Sequence, residues 1–238
     1  MLRNRFVNTV YADHNQSRSV QKMLSSCLAD LPVNGSGLNV GAGSGRLDPR
    51  ITNVDIVDGA DIDVVAFAES LPFEDRCFDL AISQETLEHV QDPFRAVREM
   101  YRVLKDGGQI YVQVPFIIGY HPGPTDYWRF TREGVQELVN QAGFQIDQVG
   151  ITVGPAVGYY RIAVEFMASL AASILLPAYI PAKASFALFL YPIKLLDRFI
   201  RLQRDRIAGG YYVVATKPLA VPDSQPINGN NPSNAQED

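Results

Sequence analysis

"LNVGAGSGRLDPRITNVDI", residues Leu38 to Ile56, decides the fold. An apolar run ends in a turn with glycines at 41, 43 and 45, and a second apolar run opens at Ile51. A strand followed by glycines lets the main chain approach a ligand closely, because a residue without Cβ takes positive φ and leaves room. Only Arg46 to Arg50 separate the last glycine from the second run. A crossover between parallel strands normally uses a dozen residues or more. An extended chain covers at most about 3.3 to 3.6 Å per residue, so Arg46 to Arg50 reach roughly 17 Å, one short strand's length. The spacing therefore predicts a crossover made without its usual helix.

Further along, "DIDVVAFA", "FDLAISQ" and "QIYVQVPF" are apolar runs bounded by Gly, Pro or polar residues, as buried parallel strands are. "DPFRAVREMYRVLKDGG" carries Phe94, Val97, Met100, Tyr101 and Leu104 on one helical face, with Asp92 to cap it and Gly107 to stop it. Val20, Met23, Leu24, Cys27 and Leu28 predict a helix ahead of the first strand. "TREGVQELVNQAGF" predicts another, and "QIDQVGITVG" and "GYYVVATKP" predict an antiparallel ending to the sheet. The fold class is α/β, a Rossmann-like doubly wound, mostly parallel sheet with an antiparallel last strand and an apolar helical insertion. The expected organisation is a lead-in over 1–37, a core over 38–154, the insertion over 155–209, the final core strand over 210–218 and a disordered tail over 219–238.

With 238 residues, 47% of them hydrophobic, the chain can bury a sizeable core, and its net charge of −5 gives no footprint for nucleic-acid binding. Its two cysteines, Cys27 and Cys77, stand in no metal or redox spacing and read as reduced, partly buried residues. No metal is expected. The start, "MLRNRFVNTVYADHNQ", lacks the apolar stretch of a signal peptide, so a cytoplasmic location is expected.

The glycine turn lacks a third glycine at Arg46 and an acid about 20 residues on, so it fails the dinucleotide fingerprint. Asp55 instead ends the second run twelve residues after Gly43, a spacing that suits the ribose of a single nucleoside. From Leu38 to Phe144 the chain resembles a class I S-adenosylmethionine-dependent methyltransferase. The resemblance rests on the glycine loop, "LPF" at Leu71–Phe73, "FDL" at Phe78–Leu80, "LEHV" at Leu87–Val90 and "RVLKDGG" at Arg102–Gly108, in that order. It implies S-adenosyl-L-methionine as cofactor, with Gly41 and Gly43 against its methionine part, Asp55 on the ribose, Ser70 and Leu71 beside the adenine, and Gln84 near the methionine amino group. Two departures stand out. Phe67 occupies the place where relatives carry an acid for the adenine amino group, and without the crossover helix no helix N-terminus offers amides to the cofactor carboxylate. Arg46 either supplies that missing charge or is a solvated loop residue.

Methyl transfer to a hydroxyl needs position and a base. Of the three histidines, His14 lies outside the motif order. His89, with Glu88, follows the fourth strand, where open α/β sheets bind ligands, and either acts in chemistry or braces the next helix. His121 sits in "YHPGPTDYWRFT" with Asp126, Tyr127, Trp128 and Arg129. His121 is the preferred base, His89 the second, and Asp126 either holds the imidazole or forms a brace with Arg129. Trp128 reads as core packing or as a sugar platform. This loop resembles a subgroup associated with cell-envelope glycans, which implies O-methylation of a sugar or lipid-linked glycan. The alternative is a catalytically silent binding module acting at a membrane or protein interface.

The insertion has no charge from Phe166 to Ala182, and Arg198, Arg201, Arg204 and Arg206 crowd its far end. Pro177 and Pro181 interrupt it, and Ala184 to Ile193 is too short to recross a bilayer. A helical hairpin lying on a membrane surface, or a lid or homodimer contact, is expected.

Overall fold

The computed structural model describes residues 14–200 and 204–220. Arg201 and the tail from 221 onward lie outside the described residues, as does the start of the lead-in. Ser17 accepts the Val20 N–H and starts α1, Arg18–Asp30, whose Val20, Leu24 and Cys27 are buried at helical spacing. Burial pushes the Cys27 thiol up to about 11, and Cys27 and Cys77 are both free.

The strands are β1 (Gly37–Val40), β2 (Ile51–Asp55), β3 (Val64–Val65), β4 (Phe78–Gln84), β5 (Leu104–Pro115), β6 (Gln145–Ile151) and β7 (Gly210–Thr216). They form one sheet of seven in the order β3-β2-β1-β4-β5-β7-β6. β7 runs antiparallel to both β5 and β6, and the other pairs are parallel. This is the mostly parallel sheet with an antiparallel last strand that the sequence implies.

Helices α2 (Pro93–Val103) and α3 (Arg132–Gln141) start at side-chain caps: Asp92 accepts from Arg95 N–H, and Thr131 from Gly134 N–H. Val97, Met100, Val135 and Leu138 on these helices share a core with Val112 and Val213 of the sheet. In a second cluster, Leu24 and Cys27 of α1 pack with Leu80, Tyr111 and Tyr212, whose rings stack at 5.9 Å. Gly107 does not stop α2. The Leu104 N–H bonds back to Met100 and the chain passes directly into β5, so Gly107, at φ 79°, lies inside the strand, where its N–H donates to the Lys217 carbonyl.

Residues 41–50 contain no helix. Side chains secure the crossover instead. Arg46 grips Asp63 through both terminal nitrogens at 2.9 and 2.7 Å and also donates to the Ile51 carbonyl at 2.7 Å. Asn53, fully buried in β2, donates through Nδ2 to the Gly45 and Asp61 carbonyls, while its Oδ1 accepts from Asn39 at 3.3 Å. Arg50 folds onto Asp48 and donates to the last carbonyls of α1's C-terminal end, at Leu28 and Leu31.

The insertion is a helical hairpin of α4 (Pro155–Ile174) and α5 (Tyr179–Leu190). Tyr160 and Val164 pack on Ala187, and the Tyr160 hydroxyl donates to the Ala187 carbonyl at 2.9 Å. Asp197 returns to accept from the Ala156 and Val157 amides, capping α4 from a distant segment. Among the described residues no helix is long and apolar enough to cross a membrane.

Asn53→Ala removes a fully buried side chain that ties the Gly45 and Asp61 carbonyls to β2, and it leaves the buried Asn39 amide without that acceptor. It should lower the unfolding free energy by roughly 2 to 3 kcal/mol, read from urea unfolding, with the loss of protection in hydrogen exchange concentrated at residues 43–50.

Candidate active site

A cavity of about 760 Å³ opens at the carboxyl ends of β1, β2 and β4. The glycine loop forms one wall. Gly41 has φ 71° and packs so tightly on Thr86 that a Cβ would overlap that side chain, whereas Gly43, at φ 60°, has open space where its Cβ would be. The Asp55 carboxylate accepts from the Gly43 N–H at 2.8 Å and from the Val57 N–H at 3.0 Å, so one acid fixes the loop and faces the cavity. Ile56, Phe67 and Ala68 supply an apolar wall, with Phe67 68% exposed.

Gly41, Gly43, Asp55 and Ser70 line the cavity, and Leu71 and Gln84 do not. Leu71 is buried in the core with its N–H on Glu99, and the Gln84 amide bonds sideways to Gln113 at 3.3 Å. Glu85 and Thr86 take the place expected of Gln84. Glu85 stands at φ 51°, which turns the chain out of β4 toward the cavity. Nothing in its residue type signals that turn. Arg46 does not line the cavity: it is an exposed loop charge whose guanidinium is held by Asp63 and the Ile51 carbonyl.

At the far end stands the segment Leu87–His89 and the loop after β5. The Tyr127 and Trp128 amides donate to the Glu88 carbonyl at 2.7 and 3.2 Å, locking loop and segment together. Arg129 donates to both oxygens of Asp126, at 2.6 and 2.7 Å, and to the Ile118 and Gly119 carbonyls. Asp126 also accepts the His121 main-chain N–H at 2.8 Å. It thus braces the loop with Arg129, which holds its carboxyl down to about 2. Trp128 donates its indole N–H to the Val90 carbonyl and remains 40% exposed, so it is neither core nor a free platform.

The Glu88 side chain is fully buried and lies 3.7 Å from His89 Nε2 and 3.6 Å from His121 Nε2. Burial raises the Glu88 pKa, and the Glu88 carboxylate in turn raises that of His121. Of the three residues expected to do chemistry, only His89 lines the cavity; His121 stands behind it with the rings 5.2 Å apart, and Asp126 is committed to Arg129.

Residues 38–112 match the family model of a methyltransferase domain. Those residues run from β1 into β5, and the glycine loop and Asp55 lie among them. The ubiquinone/menaquinone biosynthesis C-methyltransferase of Xanthomonas oryzae pv. oryzae is 51% identical over 63 residues, 26% of this chain and 24% of that protein. The ubiquinone biosynthesis O-methyltransferase of Pseudomonas aeruginosa is 27% identical over 162 residues, 59% of this chain and 68% of that one. The solved phosphoethanolamine N-methyltransferase 2 of Haemonchus contortus, in complex with S-adenosylhomocysteine, superposes with a TM-score of 0.55 at 16% identity, over 90% of this chain and 57% of that one. At that identity the likeness concerns the fold. The chain spans about a quarter of the length of the first of these relatives.

The cavity suits an adenosine carrying a sulfonium side arm. Asp55 offers carboxylate acceptors to a ribose, Phe67 and Ile56 offer flat apolar surface to a base, and the open space at Gly43 admits a polar chain against the backbone. Gly41→Ala places a Cβ into Thr86 at a left-handed φ. It should destabilise the fold by about 1 to 3 kcal/mol and weaken S-adenosylhomocysteine binding, whereas Gly45→Ala, which meets open space at φ 98°, should cost only its conformational strain; thermal melts with and without ligand compare the two.

Proposed function

We propose that this chain is an S-adenosylmethionine-dependent methyltransferase that methylates a hydroxyl on a small, lipid-linked acceptor, of which a glycan head group is one form. The observation that carries the reading is the union of glycine loop, Asp55 and Phe67 at one end of a single cavity with His89 at the other. When bound, S-adenosylmethionine supplies a sulfonium whose methyl group is open to in-line attack. Asp55 accepts from the ribose hydroxyls while it continues to hold the Gly43 amide. Phe67 stacks on the base but accepts no hydrogen bond from it, which reduces affinity by about 1 kcal/mol. The Glu85 carboxylate is the acid at the cavity wall suited to the methionine ammonium group. The acceptor approaches from the side of His89, Gly123 and Tyr127, where the hydroxyl proton can leave through the imidazole cluster.

Two observations support the lipid-linked acceptor. Phe166, Leu170, Ile174, Leu176, Ile180 and Phe189 on the hairpin are exposed, and Gly119 of the cavity-side loop lies beside Glu165 of α4, so this apolar surface adjoins the acceptor side. The name of the Pseudomonas relative also joins O-methylation to a quinone pathway. An open cavity with Asp55 in place speaks for cofactor use over the silent-module alternative.

Calorimetric titration with S-adenosylhomocysteine tests the reading. The full chain should bind one equivalent, and Asp55→Ala should lose roughly 2 to 3 kcal/mol of affinity, while Asp55→Asn, which keeps an acceptor for Gly43, loses the charge-assisted part alone. Absence of binding by the intact chain would sink the methyltransferase reading in favour of the silent module.

A further inference from the structure

We propose that Glu88, His89 and His121 form a binding site for one divalent transition-metal ion, with an open coordination position toward the cavity. The sequence gives no such expectation, because His89 and His121 stand far apart along the chain and in no ligand spacing. The fold brings them together. One ligand atom from each of the three residues lies within 4.8 Å of the others.

The hydrogen bonds around the cluster determine which atoms face inward. His89 Nδ1 meets the Thr125 carbonyl, so it must carry the proton, and Nε2 presents its lone pair to Glu88. His121 Nδ1 lies 2.9 Å from the Gly119 carbonyl and 3.1 Å from Arg129 Nη2. Both hydrogens of that nitrogen are already directed to Gly119 and Asp126, so Arg129 has none left to give, and His121 Nδ1 must donate to Gly119. Its Nε2 lone pair likewise faces Glu88. A backbone carbonyl on Nδ1 with Nε2 left bare is the arrangement that orients metal-binding imidazoles.

At the centre, both Glu88 carboxylate oxygens are buried without a hydrogen-bond partner. The separations of 3.6 and 3.7 Å to the two Nε2 atoms exceed hydrogen-bond length. They are close to the edge of about 3.3 Å that ligands of a tetrahedral zinc ion make with bonds near 2.0 to 2.1 Å. Three lone-pair atoms converge here on a buried carboxylate, an arrangement that a cation between them would satisfy, and two imidazoles with one carboxylate suit zinc and its first-row neighbours. His89 is part of the cavity wall, and a Cβ on Gly123 would lie 3.8 Å from its Nε2, so the fourth position opens on the loop that borders the acceptor side. What the ion does to an acceptor oxygen there, lowering the pKa of a bound hydroxyl so that its proton leaves to water in place of the imidazoles whose Nε2 atoms the ion takes, rests on the methyltransferase reading. Its binding does not.

The test is titration of the full chain, stripped with a chelator, with Zn²⁺ by calorimetry and with Co²⁺ by visible absorption, both without cofactor. One equivalent should bind, and Co²⁺ should show the intense bands of a four- or five-coordinate nitrogen and oxygen site. Glu88→Gln and His121→Ala should each weaken binding by at least about 100-fold, beyond the loss typical of outer partners, while His14→Ala binds like the parent. His121, partly exposed, tolerates truncation should Glu88→Gln fail to fold by circular dichroism. Failure of saturable binding, or equal binding by His121→Ala, overturns the metal site. S-adenosylhomocysteine titration of the same samples reports separately on the methyltransferase reading.

Discussion

Returning the chain from the end of β1 to the start of β2 without a helix is the constraint on which the rest of this structure depends. Gly37 of β1 stands in register with Ile51 of β2, so residues 41–50 must retrace the length of a strand. A helix would satisfy its own amides and carbonyls on the way. This loop cannot, and polar side chains do it instead: Asn53 takes two carbonyls, Asp55 and Asp61 take the Gly43 and Gly45 amides, and Arg46 locks onto Asp63. The glycines make the turn conformable, and the acids at the ends of β2 and β3 make it fixed. One consequence is functional. The carboxylate that positions the loop is the one that faces the cavity, so loop order and ligand affinity are linked through Asp55.

The opposite end of the cavity obeys a different rule. There the loop after β5 is held by main-chain amides on the Glu88 carbonyl and by the fan of bonds from Arg129 to four acceptor groups. An isolated carboxylate at zero exposure is expensive, and its cost is offset only by cations or protons close by. Two imidazoles, each anchored by Nδ1 on a carbonyl, meet that need. The sheet edge therefore carries an acid-lined glycine pole and an imidazole pole, and a methyl donor at the first would face an acceptor at the second.

Much of this was legible in residue order. The runs at β1, β2, β4 and β5, the cap Asp92, the absent crossover helix and the helical hairpin all follow from local pattern, because apolar periodicity and capping chemistry act within a few residues. Asp55 was legible too, since it ends a strand. Less was legible where distant segments meet. Nothing near Arg46 announces Asp63, and nothing near Glu88 announces that His121 will stand against it. Gln84 was expected in the cavity by motif position, but the positive φ of Glu85 rotates the next two residues into it instead. Leu71, assigned by the same reasoning, turned out to be core because its amide is claimed by Glu99.

The measurement that bears most directly on the account is a crystal structure of the chain with S-adenosylhomocysteine. The account predicts ribose hydroxyls on the Asp55 carboxylate, the base against Phe67, the amino-acid arm beside Gly43, and residues 41–50 still helix-free with Arg46 on Asp63. A ligand seated elsewhere, or a loop that lets go of Asp55 and Asp63 and winds into a helix to receive it, would contradict it.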